Sequence, residues 1–108
     1  ILSAVALPNF LNQTTKARAT EAQSSISAAF KNATQSYLED PTNFASNAVS
    51  SGTDCGTDLA LTTTSTVTAY ACSVSSTTLT ITGTLDTGDT VEGSIDVSNG
   101  TVTKPTLQ

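Results

Sequence analysis

The first half of the chain carries a helical pattern that is long for a protein of this size. From Ala17 to Leu38, apolar and small residues recur at spacings of three and four, the period of one helix face. The members of this stripe are Ala19, Ala22, Ile26, Ala29, Ala33 and Tyr37. Phe30 and Leu38 widen it. We expect the helix to end at Asp40, because the residue before a proline is disfavoured in α geometry and Pro41 follows.

The same helix can be extended backwards through the apolar or small residues of Ile1–Leu7. A helix of about 39 residues measures about 58 Å at about 1.5 Å per residue. A chain of 108 residues cannot bury such a rod, so we expect part of it to project. Pro8 lacks an amide donor and crowds the carbonyl of Ala4, which predicts a kink. The chain contains no methionine, so we expect residues to precede Ile1.

The second half of the chain alternates between apolar and polar residues, which is typical of half-buried antiparallel strands. Leu79 and Ile81 are predicted to point inward between threonines. The next strand places Val91, Ile95 and Val97 on the inner face. In the strand around residues 67–74 the pattern predicts two faces, one with Val67, Ala69 and Ala71 and the other with Thr68, Tyr70 and Cys72.

Turn signals separate these strands. Asn99-Gly100 predicts a two-residue hairpin loop, and Asp86–Asp89 predicts a second turn. Residues 41–58 are rich in turn formers and are predicted to be a connecting loop. The result is an α+β fold in which a long N-terminal helix packs on a small antiparallel sheet. We expect residues 1–19 to be the projecting half of the helix and residues 20–108 to be a globular head, with the sheet over about 59–104.

Charge and cysteine content limit the classes of function. Residues 1–38 have a net charge of +2 and residues 39–108 a net charge of −7. The acidic body argues against a nucleic-acid surface, which needs clustered Lys and Arg. Cys55 and Cys72 are the only cysteines and there is no histidine. An oxidised pair is therefore favoured over a zinc site, which indicates a compartment outside the cytoplasm.

The sequence offers little for catalysis or cofactor binding. Serine and threonine are plentiful, but no His, G-x-S-x-G or Ser-x-x-Lys pattern is present to activate them. We therefore predict no enzymatic activity and no cofactor. Acidic residues cluster at Asp54 and Asp58 and again at Asp86, Asp89 and Glu92. Calcium is one interpretation, but the spacing does not fit an EF-hand loop, and Asp beside Gly is ordinary turn chemistry.

The string "ALPNFLNQ" followed by "KARATEA" resembles the N-terminal region of bacterial type IV pilins, most closely that of cyanobacterial major pilins. The resemblance is close over about the first 22 residues and loose over the rest. It implies the pilin fold, a processed and methylated N-terminal residue, and about a dozen apolar residues before Ile1. Together with Ile1–Leu7 they would give a span of about 20, enough for a membrane helix. The cleavage motif and the glutamate of these pilins match no residue here.

The resemblance also implies a role for individual residues. Pro8 matches the proline beside which pilin helices open in filaments, and Phe10 and Leu11 would pack against neighbouring subunits. Cys55 and Cys72 resemble the pair that staples a pilin's C-terminal region, although Cys72 lies farther from the C-terminus than is common. The filament core would contain Ile1, Leu2, Val5, Ala6 and Leu7. The residues packing on the subunit's own sheet would be Ala19, Ala22, Ile26, Ala29 and Ala33.

These roles predict a structural subunit, the major pilin of a type IV pilus, that polymerises through its N-terminal helix for motility, adhesion or DNA uptake. Its partners would be identical subunits, the pilus assembly machinery and, before assembly, the inner membrane; in the assembled filament it would lie on the cell surface. One alternative is a pseudopilin or minor pilin of a related system. Another is a membrane-tethered binding domain that does not polymerise.

Overall fold

The computed structural model describes the backbone of residues 2–108 and the side chains of residues 16–108. One long helix precedes a sheet of six antiparallel strands in the order β1-β2-β3-β4-β5-β6. The elements are α1 (Leu2–Glu39), α2 (Phe44–Ala48), β1 (Val49–Ser51), β2 (Asp54–Cys55), a 3₁₀ turn (Thr57–Leu59), β3 (Val67–Ser75), β4 (Thr78–Leu85), β5 (Thr90–Asp96) and β6 (Thr101–Leu107). The α+β class and the helix-on-sheet arrangement are therefore confirmed.

Helix α1 packs on one face of the sheet through the predicted stripe. Ala22, Ile26 and Ala33 are fully buried, and Ala19, Ala29 and Phe30 are nearly so. The helix ends at Glu39, as the Asp40-Pro41 pair predicts. The prediction for Leu38 is wrong, because its side chain is 74% exposed. At about 3.6 residues per turn, Leu38 lies about 120° around the helix from Ile26, which places it off the buried face.

The alternation of β4 and β5 is confirmed, with Leu79, Ile81, Val91 and Ile95 buried under α1. The prediction for β3 is wrong: Val67 and Cys72 are buried, whereas Ala69 and Ala71 are exposed. The register with β4 shifts between Val67 and Ala69. A bulge of this kind adds one residue to the strand, so every later side chain changes face.

Residues 41–58 are not a simple connecting loop as predicted. They contain α2, β1 and β2, so the sheet begins at Val49 rather than near residue 59. Phe44 is 2% exposed and meets Tyr37 edge-on, with ring centroids 5.6 Å apart. This contact anchors the segment to the end of α1. At Gly56 a Cβ atom would overlap the carbonyl of Asn47, so only glycine allows this close backbone approach.

The two predicted turns are present, but one is longer than expected. Asp86–Asp89 connects β4 to β5, closed by the Leu85 amide donating to the carbonyl of Asp89 at 2.8 Å. The β5–β6 connection has four residues, Val97–Gly100, rather than the predicted two. The Asp96 carboxylate initiates this turn by accepting hydrogen bonds from the amide and hydroxyl of Ser98, at 3.0 and 2.6 Å. Val97 is buried, as expected.

Candidate assembly surfaces

The first candidate surface is the part of α1 that precedes the head. The first buried side chain of the helix among those described is Ala19. From Leu2 to Ala19 the helix rises about 26 Å at about 1.5 Å per residue. The molecule measures 60 × 24 × 18 Å, and its radius of gyration is 15.7 Å, whereas a compact chain of this length has about 13 Å. The elongation comes from one helix longer than the body it packs on.

The predicted filament-core residues fall on this part of α1. Leu2, Val5, Ala6, Leu7, Pro8, Phe10 and Leu11 lie on the helix, which the structure gives as continuous from Leu2 to Glu39. Their side chains and the predicted kink at Pro8 lie outside what the structure describes, as does Ile1. Their roles in assembly stay predictions. The packing residues Ala19, Ala22, Ile26, Ala29 and Ala33, by contrast, lie together in the core.

Three polar contacts, which we call the neck contacts, fasten α1 where it enters the head. Arg18 Nη1 donates to Asp86 Oδ1 at 2.6 Å, forming an ion pair with the β4–β5 turn. Thr64 Oγ1, ahead of β3, donates to Glu21 Oε2 at 2.9 Å. Gln23 Nε2 donates to the carbonyl of Pro105 in β6 at 2.9 Å. Because they reach three separate parts of the head, these contacts constrain the direction in which the helix leaves it.

Sequence reasoning missed the neck contacts. The three helix residues lie beside the buried stripe, which is the only local signal they give. Their partners are 68, 43 and 82 residues away in sequence. Only the register of the strands brings those partners to the same end of the helix.

One side of α1 carries a polar groove of about 210 Å³, lined by Asn32, Gln35, Ser36, Glu39 and Asp58. We call this side the acidic flank. Ser36, 7% exposed, donates through Oγ to Asp58 Oδ2 at 3.0 Å. Asn32 Nδ2 donates to the carbonyl of Leu59 at 3.1 Å. These bonds hold the 3₁₀ turn against the helix, and they leave the exposed Glu39 at the rim of the groove.

The other side of α1 carries an apolar groove of about 230 Å³, lined by Ser27, Phe30, Lys31, Thr34, Ile95 and Val102. We call this side the basic flank, since Lys31 is its charged residue. Val102 on the edge strand β6 is 46% exposed. Within the described part of the chain, Lys31 forms no ion pair. The basic flank therefore combines one exposed apolar side chain, Val102, with one cation, Lys31.

The predicted disulfide is present. Cys55 in β2 and Cys72 in β3 are joined, with their Cα atoms 5.0 Å apart. Cys72 is 2% exposed, so the bridge lies partly in the core. Strand β2 has only two residues, and the bridge secures it to β3, together with a hydrogen bond from the Cys72 amide to the carbonyl of Thr53 at 2.7 Å.

The acidic clusters do not converge on a metal site among the described residues, where no group of three His, Cys, Asp or Glu side chains has suitable geometry. Asp86 pairs with Arg18, and Asp89 accepts a hydrogen bond from the Thr87 hydroxyl at 2.9 Å. These residues therefore stabilise the neck and the turn. Among the described residues, no helix is both long and apolar enough to span a bilayer.

Comparisons with protein-family models, with curated proteins and with solved structures return no match to this chain. The resemblance to type IV pilins therefore depends on the N-terminal string.

Proposed function

We propose that this chain is the major structural subunit of a type IV pilus, which polymerises through its N-terminal helix into surface filaments. The observation that supports the proposal best is the proportion of helix to head: α1 continues about 26 Å beyond Ala19, the first buried residue among the described side chains. Leu2, Val5 and Leu7 lie on this part of α1, and in this proposal other molecules cover these apolar residues. In a filament, the helices of neighbouring subunits provide that cover.

The head has two features that are suited to a subunit repeated along a filament. The neck contacts constrain the helix direction, so each subunit would present its head at the same angle to a shared helical core. The Cys55–Cys72 bridge stabilises the short strands without a cofactor, as expected for a protein that functions outside the cell. In this proposal the subunit performs no chemistry, and motility, adhesion or DNA uptake would depend on the machinery that extends and retracts the filament.

The proposal is tested by negative-stain microscopy of material sheared from the surface of cells that express the full chain. We expect thin, unbranched fibres, in which mass spectrometry identifies this chain as the main component. A strain lacking the chain is the control and should yield no such fibres. Fibres that persist in that strain, or a chain found only in the membrane fraction, would contradict the proposal and favour a tethered domain that does not polymerise.

A further inference from the structure

We propose that the basic flank and the acidic flank are the two halves of one contact between copies of this chain. The basic flank of one copy would receive the acidic flank of the next. This inference deepens the proposed function, because it assigns the head surfaces that meet when subunits assemble, whereas the projecting helix supplies the core.

The two sides of α1 carry opposite charges. Lys31 lies on the side of the helix that faces Ile95 of β5 and Val102 of β6. Glu39 and Asp58 lie on the side that faces the 3₁₀ turn. The sheet runs in order from β1 to β6, so the two flanks lie toward different sides of the head. Two copies can therefore meet side by side with opposite charges in contact.

The groove on the basic flank fits the side chains that the acidic flank offers. Gln35 and Glu39 are exposed, lie one turn apart on α1 and are linked by Gln35 Nε2 donating to Glu39 Oε1 at 3.2 Å. Their aliphatic stems would cover the exposed side chain of Val102 of the neighbouring copy. The Glu39 carboxylate would then reach Lys31. Long side chains commonly bury their stems on apolar surface and keep the charged end at a polar partner.

Charge also distinguishes this contact from a symmetric dimer. If the basic flank met its own copy, Lys31 would face Lys31, and if the acidic flank met its own copy, Glu39 would face Glu39. Like charges placed together disfavour an interface, whereas opposite charges favour it. A contact between two different surfaces continues from copy to copy and forms an open array unless rotation closes it into a ring. An open array is what a filament requires.

The test uses charge reversal in the full chain. Lys31→Glu makes both flanks acidic, and Glu39→Lys places a lysine on each flank, with Asp58 the remaining acid of the acidic flank. We expect each variant alone to lose most of the sedimentable fibre that the wild type yields. Mixed in equal amounts, the two variants should recover fibres that contain both chains. Glu39 is chosen over Asp58 because Asp58 accepts the hydrogen bond from Ser36. Glu92→Lys is the matched control: Glu92 is exposed on the sheet face opposite the helix, and its reversal should leave the yield unchanged.

Either of two results would overturn the contact without affecting the proposed function: single variants that form fibres as the wild type does, or a mixture that forms none. If the wild type forms no fibres at all, the proposed function fails, and cross-linking decides the contact separately. Lys31→Cys and Glu39→Cys chains, co-expressed in full length and treated with a bismaleimide long enough to replace the two original side chains, should form a mixed dimer, since a direct disulfide would need closer Cα atoms. Dimers formed only between identical variants would reject the pairing of the two flanks.

Discussion

At the scale of single residues, Asp96 determines how β5 turns into β6. Its carboxylate accepts hydrogen bonds from the Ser98 hydroxyl, the Thr77 hydroxyl and the Ser98 amide, at 2.6, 2.8 and 3.0 Å. These bonds lower the pKa of Asp96 below its ordinary value, and the Ser98 hydroxyl contributes most. The charged carboxylate thus holds together two turns, because Thr77 belongs to the β3–β4 connection.

The lowered pKa of Asp96 gives a dependence of stability on pH with a defined sign. A carboxyl group whose pKa is lower in the folded protein than in the unfolded chain stabilises the fold above the unfolded value, and this contribution is lost as the pH falls through the folded value. We expect the free energy of unfolding to decrease below about pH 5, and to decrease less steeply in Asp96→Asn. Urea denaturation at a series of pH values measures both slopes.

Glu92→Gln provides the control for that experiment, since the Glu92 carboxylate accepts no hydrogen bond from the described side chains and lies on the same strand. Its variant should follow the wild-type pH dependence. If Asp96→Asn also follows it, the hydrogen bonds to Asp96 do not contribute to stability.

The burial of a side chain on α1 predicts how far the free energy of unfolding falls when that side chain is truncated. Ile26 is fully buried, whereas Leu38 is 74% exposed. Ile26→Ala should lower the free energy of unfolding by about 2–5 kcal/mol, because it removes buried methyl groups and leaves a cavity. Leu38→Ala, the matched control on the same helix, should change it by less than about 0.5 kcal/mol. Denaturant unfolding measures both, and equal effects would mean that the helix does not pack as described.

At the scale of elements, the weakest part of the head is the segment from α2 to β2. Strands β1 and β2 have three and two residues, and the contacts that keep them in the sheet are few. The packing of Phe44, the Gly56 amide donating to the carbonyl of Ala48 at 2.6 Å and the disulfide secure this segment.

Removing the disulfide should therefore loosen that segment first. Cys55 and Cys72 are 17 positions apart, and a closed loop of that size contributes about 3 kcal/mol in the chain-entropy model. We expect Cys55→Ala with Cys72→Ala to lose about that much stability. Hydrogen exchange should accelerate in β1 and β2 before it does in β4 and β5. The oxidised wild type is the reference for these exchange rates. Uniform acceleration across all strands would contradict a local role for the bridge.

Periodicity predicted the elements that depend on local pattern. The stripe of α1, its end before Pro41 and the alternation of β4 and β5 follow from side chains spaced three, four or two residues apart, and all are found in the structure. The face of β3 could not be predicted in this way, because a bulge near Val67 moves each later side chain to the other face. The Ala69 and Ala71 side chains are small, so the core gains more by combining Val67 with Cys72 than by combining Val67 with the two alanines.

The neck contacts and the two flanks depend on tertiary structure instead. Arg18 and Lys31 look alike in sequence, yet one is paired with Asp86 and the other lies beside an apolar groove. That difference arises from where the β4–β5 turn and the edge strand β6 meet the helix. The spacing of residues within α1 does not indicate which of these two cations is paired.

At the scale of the whole molecule, a head 24 by 18 Å across is combined with a 60 Å long axis. In a molecule of this shape, the part of α1 that packs in the head is separate from the part that precedes the head. Among the described side chains, the core residues of α1 begin at Ala19, so we expect the head to need α1 only from about that residue onward. In the proposed filament, the part of α1 before that residue would serve contacts with other subunits, so substitutions there should affect assembly and folding differently.

Val5→Asp tests this separation directly. In the proposed filament, Leu2, Val5 and Phe10 would be covered by lipid before assembly and by neighbouring helices afterward. A carboxylate at Val5 costs about 2.5–3.5 kcal/mol at the centre of a membrane helix, and the cost recurs in every subunit. We expect the variant to accumulate as folded protein with its disulfide intact, detected by mass spectrometry without reductant, but to yield no fibres under the electron microscope. Ala45→Asp, which adds the same charge at an exposed position of α2, should assemble normally. Normal fibres from Val5→Asp would show that the projecting helix is not the assembly core, because a buried charge repeated in each subunit could not be tolerated there.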